Sequence, residues 1–121
     1  MVDKRRIFGN RGEAIAAEFL KEKGFTILEK QYKSPFGEID LVCQRGSEGV
    51  FVEVKTRKTN TFGYPEESVT KRKIQYIERT AQHYLSEKFL TDHPWRVDVI
   101  AIEMRGGKPK ISHFEHIDIV D

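Results

Sequence analysis

Two extended segments joined by a short turn constrain the fold of this chain most strongly. Residues 38–44 and 50–57 are rich in Val, Ile, Leu and Phe, and the turn at 45–49 contains two glycines. Such a pattern predicts an antiparallel hairpin in which Gln44 pairs with Gly49. Because side chains alternate between the two faces of a strand, this pairing also predicts which residues lie side by side.

The segments around this hairpin predict two helices. The first is expected from about Asn10 to Lys23, because Asn10 and Glu13 form a capping-box pattern and Gly24 supplies a C-terminal stop. The second is expected at 68–88, where apolar residues recur at helical spacing. The apolar positions of this second helix are Ile74, Ile77, Ala81, Tyr84 and Leu85.

Further strands are predicted at 25–32, 95–103 and 111–114, with a polar loop at 58–65. The resulting order is α-β-β-β-α-β-β. The long helix between the strands at 50–57 and 95–103 predicts that these two strands run parallel. The Val- and Ile-rich centre of 95–103 predicts burial on both faces. An α/β fold with a mixed β-sheet flanked by helices is therefore expected.

Length and composition bound the class of protein. A chain of 121 residues, of which 38% are hydrophobic, fits a single domain spanning 1–121. The sequence has no apolar run long enough to cross a bilayer, and no apolar stretch of a signal peptide follows its first charges. The single cysteine, Cys43, excludes an internal disulfide and a cysteine-based zinc site. These features predict a cytoplasmic protein.

Positive charge is concentrated in two segments, although the formal net charge is only +2. Residues 1–11 carry four basic residues and one acidic residue, and residues 55–73 carry six basic and two acidic ones. Segregated positive charge is typical of a phosphate-binding face. Solvated faces that happen to be basic explain it equally well. The residues expected to contact nucleic acid are Arg11, Arg57, Lys58, Lys71 and Lys73.

Charged residues interrupt the otherwise apolar hairpin. Alternation predicts that Glu53 and Lys55 share one face with Phe51. The predicted pairing places Asp40 opposite Glu53, with Cβ atoms about 5 Å apart, and Glu38 opposite Lys55. The residues expected to form the core behind these charges are Ile39, Leu41, Cys43, Val50, Val52 and Val54.

A metal ion would resolve the repulsion between the opposed carboxylates. Two such groups repel each other unless a positive charge lies between them. Mg²⁺ or Mn²⁺ satisfies this requirement, because both prefer oxygen ligands. Asp40 and Glu53 are the predicted ligands, with the backbone carbonyl of Val54 as a third. Such an ion would polarise a phosphate oxygen and acidify a water molecule, while Lys55 would orient that water or stabilise developing negative charge.

A cross-strand salt-bridge cluster is the structural alternative for the same residues. In this arrangement Lys55 would neutralise Glu53, Asp40 and Glu38. The context argues against it, because the charges lie within an otherwise core-like strand, where unpaired charge is costly.

The other polar residues show no comparable pattern. Asp98 is interpreted as the partner of Arg96 in a structural ion pair. The four histidines, at positions 83, 93, 113 and 116, have no metal-ligand spacing joined to carboxylates and are interpreted as surface residues.

Two segments of the hairpin resemble a known motif. Gly37-Glu38-Ile39-Asp40, followed by Phe-Val-Glu-Val-Lys-Thr-Arg at 51–57, resembles the PD-(D/E)XK nuclease motif. In particular the chain is similar to the YraN-like family of small bacterial proteins, relatives of the archaeal Holliday junction resolvases. The further matching segments are Gly12-Glu13-Ala14, Gly24-Phe25, Phe62-Gly63 and residues 96–101. The resemblance implies a restriction-endonuclease-like fold, metal-dependent hydrolysis of DNA, including branched DNA, and a two-fold homodimer.

The resemblance also assigns roles to single residues. It implies that Asp40 and Glu53 are the acidic metal ligands and Lys55 the motif lysine, whereas Ile39 replaces the proline that names the motif. Glu13 matches a catalytic glutamate on the first helix of the resolvases. Its alternative role as capping-box partner of Asn10 stays open. Two rival functions also stay open: a nucleic-acid-binding module without catalysis, and an interaction subunit of a DNA-processing assembly.

Overall fold

The structure, a computed structural model, describes residues 4–58, 70–88 and 90–118. Its elements, in chain order, are α1 (Lys4–Glu22), β1 (Thr26–Ser34), β2 (Gly37–Arg45), β3 (Glu48–Arg57), α2 (Lys71–Glu87), β4 (Trp95–Arg105) and β5 (Lys108–Phe114). The predicted element order is confirmed. Of the predicted polar loop at 58–65, all but Lys58 lies outside the described residues, as does the Phe62-Gly63 segment. No helix within the described ranges is long and apolar enough to span a membrane.

The five strands form one mixed sheet in the order β1-β2-β3-β4-β5. The pair β3 and β4 is parallel and the other three neighbouring pairs are antiparallel. The predicted parallel pair and the predicted pairing of Gln44 with Gly49 are therefore both confirmed. The centre of β4 is buried on both faces, as its composition predicts.

Each face of the sheet is covered by one helix. The α1 side buries the cluster Ala16, Ala17, Leu20, Phe25, Leu41, Cys43, Val50, Val52, Ile100, Ile102 and Met104. The α2 side buries the cluster Ile39, Val42, Phe51, Ile74, Ile77, Ala81, Tyr84, Leu85, Val97 and Val99. The predicted alternation in β3 is confirmed, because Val50 and Val52 face α1 whereas Phe51 faces α2.

Strand β2 departs from strict alternation at Asp40. Ile39 was expected on the same face as Leu41, but it packs on the α2 side. Ile39 and Val42 are three residues apart and share a face, which a regular strand does not allow. The neighbouring strand is irregular at the same level, since Gln31 of β1 has a φ of 52°. This irregularity changes the environment of Asp40.

Helix α1 begins at Lys4, earlier than the sequence predicts. Asn10 therefore lies inside the helix and cannot cap it; its side-chain oxygen instead accepts a hydrogen bond from Gln31 at 3.3 Å. A tertiary contact explains the longer helix, because Phe8 packs against the α1-side core. The predicted end at Gly24 is confirmed: Gly24 has a φ of 95°, and the N–H of Phe25 donates to the carbonyl of Leu20 at 2.9 Å.

Helix α2 has a defined start. The hydroxyl of Thr70 accepts a hydrogen bond from the N–H of Lys73 at 3.2 Å and caps the helix. Its first turn contains no acidic residue and begins with three basic ones at 71–73. All five apolar positions predicted from the helical spacing are buried. The helix thus packs against the sheet as the sequence predicts.

Candidate functional site

Asp40 connects the two strands of the hairpin at the point where their pairing ends. The ladder between β2 and β3 runs from Arg45 and Glu48 to Leu41 and Val52. One position further, Oδ2 of Asp40 accepts a hydrogen bond from the backbone N–H of Val54 at 2.7 Å. The carboxylate of Asp40 thus takes the place of the backbone carbonyl that would otherwise accept the hydrogen bond of Val54.

The position of Val54 matters for a possible third ligand. In an extended strand, the N–H and the C=O of one residue project toward the same neighbouring strand. The N–H of Val54 is directed at Asp40, so its carbonyl oxygen lies on the Asp40 side of β3. This orientation is compatible with the role predicted for the Val54 carbonyl.

Helix α1 brings Glu13 to the same point because a glycine lets it approach β3 closely. A Cβ atom on Gly12 would lie 2.0 Å from Oγ1 of Thr56, so only glycine permits this packing. Oε2 of Glu13 accepts a hydrogen bond from Nε2 of Gln31 at 2.8 Å. The capping-box role of Glu13 is wrong, because the residue lies well inside the helix and faces Asp40.

Negative charge accumulates around Asp40. Burial, the charge of Glu53 and the carboxylate of Glu13 together raise the pKa of Asp40 to about 8, against the opposing hydrogen bond from Val54. No ion pair joins Asp40 to a positively charged side chain among the described residues. The site therefore carries more negative charge than its immediate protein surroundings neutralise.

Glu53 receives its counter-charge from α2. Its side chain is only 6% exposed, and Oε1 lies 2.5 Å from Nζ of Lys73. Within the described part of the chain, no ion pair joins Lys55 to Glu53, Asp40 or Glu38. The alternative of a cluster neutralised by Lys55 is therefore wrong. The cation that pairs with Glu53 is on α2, outside the hairpin, so the hairpin sequence does not predict it.

Glu38 does not belong to this cluster. It is exposed and lies opposite Lys33 in the pairing of β1 with β2. The ladder between β2 and β3 ends before it, so the expected pairing of Glu38 with Lys55 does not occur. The reason is the departure from regular pairing at Asp40.

A cleft of about 320 Å³ opens beside these carboxylates. The residues that line it are Phe8, Gly9, Glu13, Val54, Lys55 and Thr56. Glu13 and Lys55 thus lie on the wall of one cleft, and Val54 connects that wall to Asp40. A phosphate group in this cleft would lie beside Glu13 and Lys55.

The basic residues proposed for nucleic-acid contact lie at several places in the fold. Nζ of Lys58 lies 6.0 Å from the ring centroid of Phe8, a residue of the cleft wall. Arg57 precedes Lys58 at the end of β3, and Arg11 is exposed on α1. Lys71 and Lys73 stand in the first turn of α2. Lys73 contacts the carboxylate cluster through Glu53.

A second polar cluster lies on the α1 side of the sheet. Asp98 is fully buried and accepts hydrogen bonds from Nε2 of His113 at 2.7 Å, Nε of Arg96 at 3.0 Å and the N–H of His116 at 2.9 Å. Burial opposes ionisation, but these hydrogen bonds prevail and hold the pKa of Asp98 below its usual value. The predicted ion pair between Arg96 and Asp98 is present.

His113 was interpreted as a surface residue, and this interpretation is wrong. Its side chain is 5% exposed, and its ring contacts those of Phe19 and Phe25, with centroids 6.1 and 5.8 Å away. Strand alternation is the signal that could have found it, because His113 pairs with buried Ile100 of β4. The burial of a single histidine in a short, weakly apolar strand is hard to predict from that strand alone.

This second cluster could hold a metal ion. Asp98, His113 and Glu115 are the group of described residues whose three donor atoms lie within 4.8 Å of one another. Arg96, already bound to Asp98, and Arg45 also face Glu115, at 3.7 and 3.8 Å. Protein cations therefore already neutralise its carboxylates, whereas Asp40 forms no ion pair with any described residue.

The protein is a mixed α/β fold with a carboxylate cluster at the point where the pairing of β2 with β3 ends. The cleft beside this cluster is lined by Lys55. The model of the uncharacterised protein family UPF0102 matches residues 12–102, and the chain belongs to this family. The resemblance to the YraN-like family is confirmed by this match.

Several curated relatives have the same description. The chain is 44% identical over 110 residues to the UPF0102 protein of Syntrophomonas wolfei subsp. wolfei, an alignment that covers 89% of this chain and 94% of that protein. It is 46% identical over 102 residues to the UPF0102 protein of Moorella thermoacetica, covering 84% of this chain and 85% of that protein. These matches cover most of each relative.

Similarity to solved structures is more distant. The crystal structure of SSO0001 aligns with a TM-score of 0.41 at 15% identity and covers 96% of this chain and 55% of that one. Pyrococcus furiosus SfsA in complex with Ca²⁺ aligns with a TM-score of 0.37 at 14% identity and covers 95% of this chain and 65% of that one. The chain thus spans about half to two thirds of these structures, and likenesses at this level carry no conclusion about its function.

Proposed function

We propose that this protein is a divalent-metal-dependent nuclease that hydrolyses phosphodiester bonds in DNA. The observation that carries the proposal is the meeting of Asp40, Glu53 and Glu13 from three different elements beside one cleft. Burial and the two neighbouring carboxylates raise the pKa of Asp40 to about 8, which reflects an unmet need for positive charge. Lys55 on the cleft wall completes the set of residues that such chemistry requires.

The donor set fits a hard cation. Carboxylate and carbonyl oxygens are the ligands that Mg²⁺ and Mn²⁺ prefer. Asp40 and Glu53 would hold the ion, with the carbonyl of Val54 and the carboxylate of Glu13 as further donors. When bound, Mg²⁺ or Mn²⁺ would polarise a phosphate oxygen and acidify a water molecule.

The chain's own residues would position the substrate. The ammonium group of Lys55 would stabilise negative charge that develops on the phosphate or orient the attacking water. Basic residues would bind the DNA backbone around the cleft: Arg11, Arg57, Lys58, Lys71 and Lys73. Branched DNA as the preferred substrate, and a two-fold homodimer to cut it symmetrically, follow from the family resemblance and are part of the proposal.

Two observations favour a second candidate, a DNA-binding module of the same fold without turnover. Lys73 already neutralises Glu53, and the carboxylates around Asp40 are not gathered as tightly as the donors of the Asp98 cluster. A binding module would need the basic residues but no metal. Titration of Mg²⁺ or Mn²⁺ by calorimetry separates the two, because binding that depends on Asp40 supports the nuclease alone.

The direct test is a cleavage assay on linear, nicked, flapped and four-way DNA with Mg²⁺ or Mn²⁺. Cleavage should require the metal and should be lost in Glu53→Gln. Glu18→Gln is the matched control, because Glu18 is an exposed glutamate of α1 paired with Lys21, away from the cluster. Activity that survives Glu53→Gln would show that another site, or a contaminant, cuts the DNA. Sedimentation with and without four-way DNA reports whether a dimer forms.

A further inference from the structure

The ion pair between Lys73 and Glu53 combines two residues with different exposure. The Glu53 side chain is 6% exposed, whereas the Lys73 side chain is 40% exposed. The lysine therefore reaches inward from the surface of α2 to a buried carboxylate of β3. Lysine has a flexible four-carbon stem, so it can leave this contact without rearrangement of the backbone.

The local rules for helices do not explain Lys73. Positive charge in the first turn opposes the helix dipole, and this turn contains basic residues and no acidic one. The N–H of Lys73 is already satisfied by the hydroxyl of Thr70. The contact of Lys73 with Glu53 explains its position instead. Without this cation, the buried carboxylate of Glu53 would be an uncompensated charge, which is costly.

A metal ion bound by Asp40 and Glu53 would compete with Lys73 for the carboxylate of Glu53. Nζ of Lys73 lies 2.5 Å from Oε1 of Glu53, so its charge would repel a cation held by Asp40 and Glu53. We propose that Lys73 is a displaceable stand-in for the metal: metal binding releases its ammonium group from Glu53, and the released group binds a phosphate of the DNA backbone. This inference rests on the proposed function, because it assumes a metal at Asp40 and Glu53.

The inference makes metal binding and DNA binding mutually dependent. In the metal-free protein Lys73 is held at Glu53 and adds nothing to DNA affinity. In the metal-loaded protein it adds one phosphate contact. Coupling of this kind is reciprocal, so DNA should also tighten metal binding.

Calorimetric titration with Mn²⁺ tests the competition. Lys73→Gln should bind Mn²⁺ more tightly than the wild type, on the order of tenfold, because a competing positive charge is gone. Lys73→Arg, which keeps the charge, should resemble the wild type. Arg79→Gln is the matched control, since it removes a positive charge from an exposed position of the same helix.

The salt dependence of DNA binding tests the release. Affinity for a short duplex, shown by gel to remain intact, is measured at several salt concentrations with and without Mg²⁺. With Mg²⁺, the slope of log K against log salt should be smaller by about 1 in Lys73→Gln than in the wild type. Without Mg²⁺ the two slopes should agree.

A measurement on the wild type covers the case in which Lys73→Gln does not fold. Lysine ammonium NMR signals, with that of Lys73 assigned through Lys73→Arg, should show Lys73 leaving its ion pair as Mg²⁺ is added. A structural ion pair would keep that signal unchanged at saturating metal and would overturn the inference.

The outcomes separate the two proposals. If the wild type binds Mn²⁺ through Asp40 but Lys73→Gln binds it equally or more weakly, this inference fails and the nuclease proposal stands. If the wild type binds no Mn²⁺ at all, both fail together. Tighter binding in Lys73→Gln together with the metal-dependent change in slope supports the inference.

Discussion

The side chain of Asp40 accepts a hydrogen bond from the main-chain N–H of Val54 at 2.7 Å. This contact continues the hairpin for one step after the backbone ladder has ended at Leu41 and Val52. It holds a half-buried carboxylate beside a strand that also carries Glu53 and Lys55. Asp40 therefore has two separable roles, as a hydrogen-bond acceptor and as a negative charge.

Substitution of Asp40 by Asn and by Ala should separate these roles. Asn keeps an acceptor oxygen for the N–H of Val54, whereas Ala leaves that group without its partner. Asp40→Ala should therefore be less stable than Asp40→Asn by about 1–2 kcal/mol in urea denaturation. Both variants should lose Mn²⁺ binding, because both lack the charge. Equal stability of the two would show that the hydrogen bond contributes little.

Metal-free stability should depend on pH through Asp40. Its pKa is about 8 in the folded protein against an ordinary value of 3.8, so the folded state holds the proton more tightly. The resulting contribution to stability is complete below pH 3.8 and is lost as the pH rises to about 8. The melting temperature of the metal-free protein is the measurement, and Asp40→Asn should lack this component of the pH dependence.

Protons and metal should compete at the same carboxylate. Below the pKa of Asp40, the apparent affinity for Mg²⁺ should fall by up to about tenfold for each unit of pH. The rise in melting temperature caused by Mg²⁺ should therefore be larger at pH 8 than at pH 6. A rise that is the same at both values would place the metal away from Asp40.

Gly12→Ala should destabilise the protein despite the better helix propensity of alanine. The new Cβ would lie 2.0 Å from Oγ1 of Thr56, and overpacking of this kind costs about 1–3 kcal/mol against a gain of about 1 kcal/mol for the helix. A net loss of up to about 2 kcal/mol in urea denaturation is expected. Gly9→Ala is the control, because a Cβ there meets nothing within 4 Å and should be neutral or stabilising. Equal effects at both positions would contradict the close approach of α1 to β3.

Asp98→Asn should affect stability and leave the metal-dependent chemistry intact. Its carboxylate is fully buried and accepts from His113, Arg96 and His116, so loss of the charge should cost about 3 kcal/mol or more at pH 7. The pKa of Asp98 is lowered, so its contribution is complete above pH 3.8 and is lost as the pH falls further. The deficit of the variant, measured by chemical denaturation, should therefore shrink at acid pH. A folded variant that no longer binds Mn²⁺ would instead identify the Asp98 cluster as the metal centre.

Periodicity and turn chemistry predict much of this fold. Local pattern and the crossover rule predict the hairpin register from the turn to Leu41, the parallel pairing of β3 with β4, the end of α1 at Gly24 and the buried face of α2. The start of α1 does not, because the packing of Phe8 extends the helix beyond the polar residue that would otherwise cap it. A glycine inside a predicted helix indicates that another element packs closely there, and Gly12 is such a residue, lying against Thr56 of β3.

The candidate site shows the same division. The sequence by itself determined that Asp40, Glu53 and Lys55 lie on one hairpin, because alternation and turn length act over a few residues. Only the tertiary structure decided the surroundings of those residues: Glu13 faces Asp40, Lys73 pairs with Glu53, and His113 is buried against Asp98. These contacts depend on how two helices and a distant strand pack across the sheet. Ion pairs between residues far apart in the sequence leave no periodic pattern, so they become visible only in the folded structure.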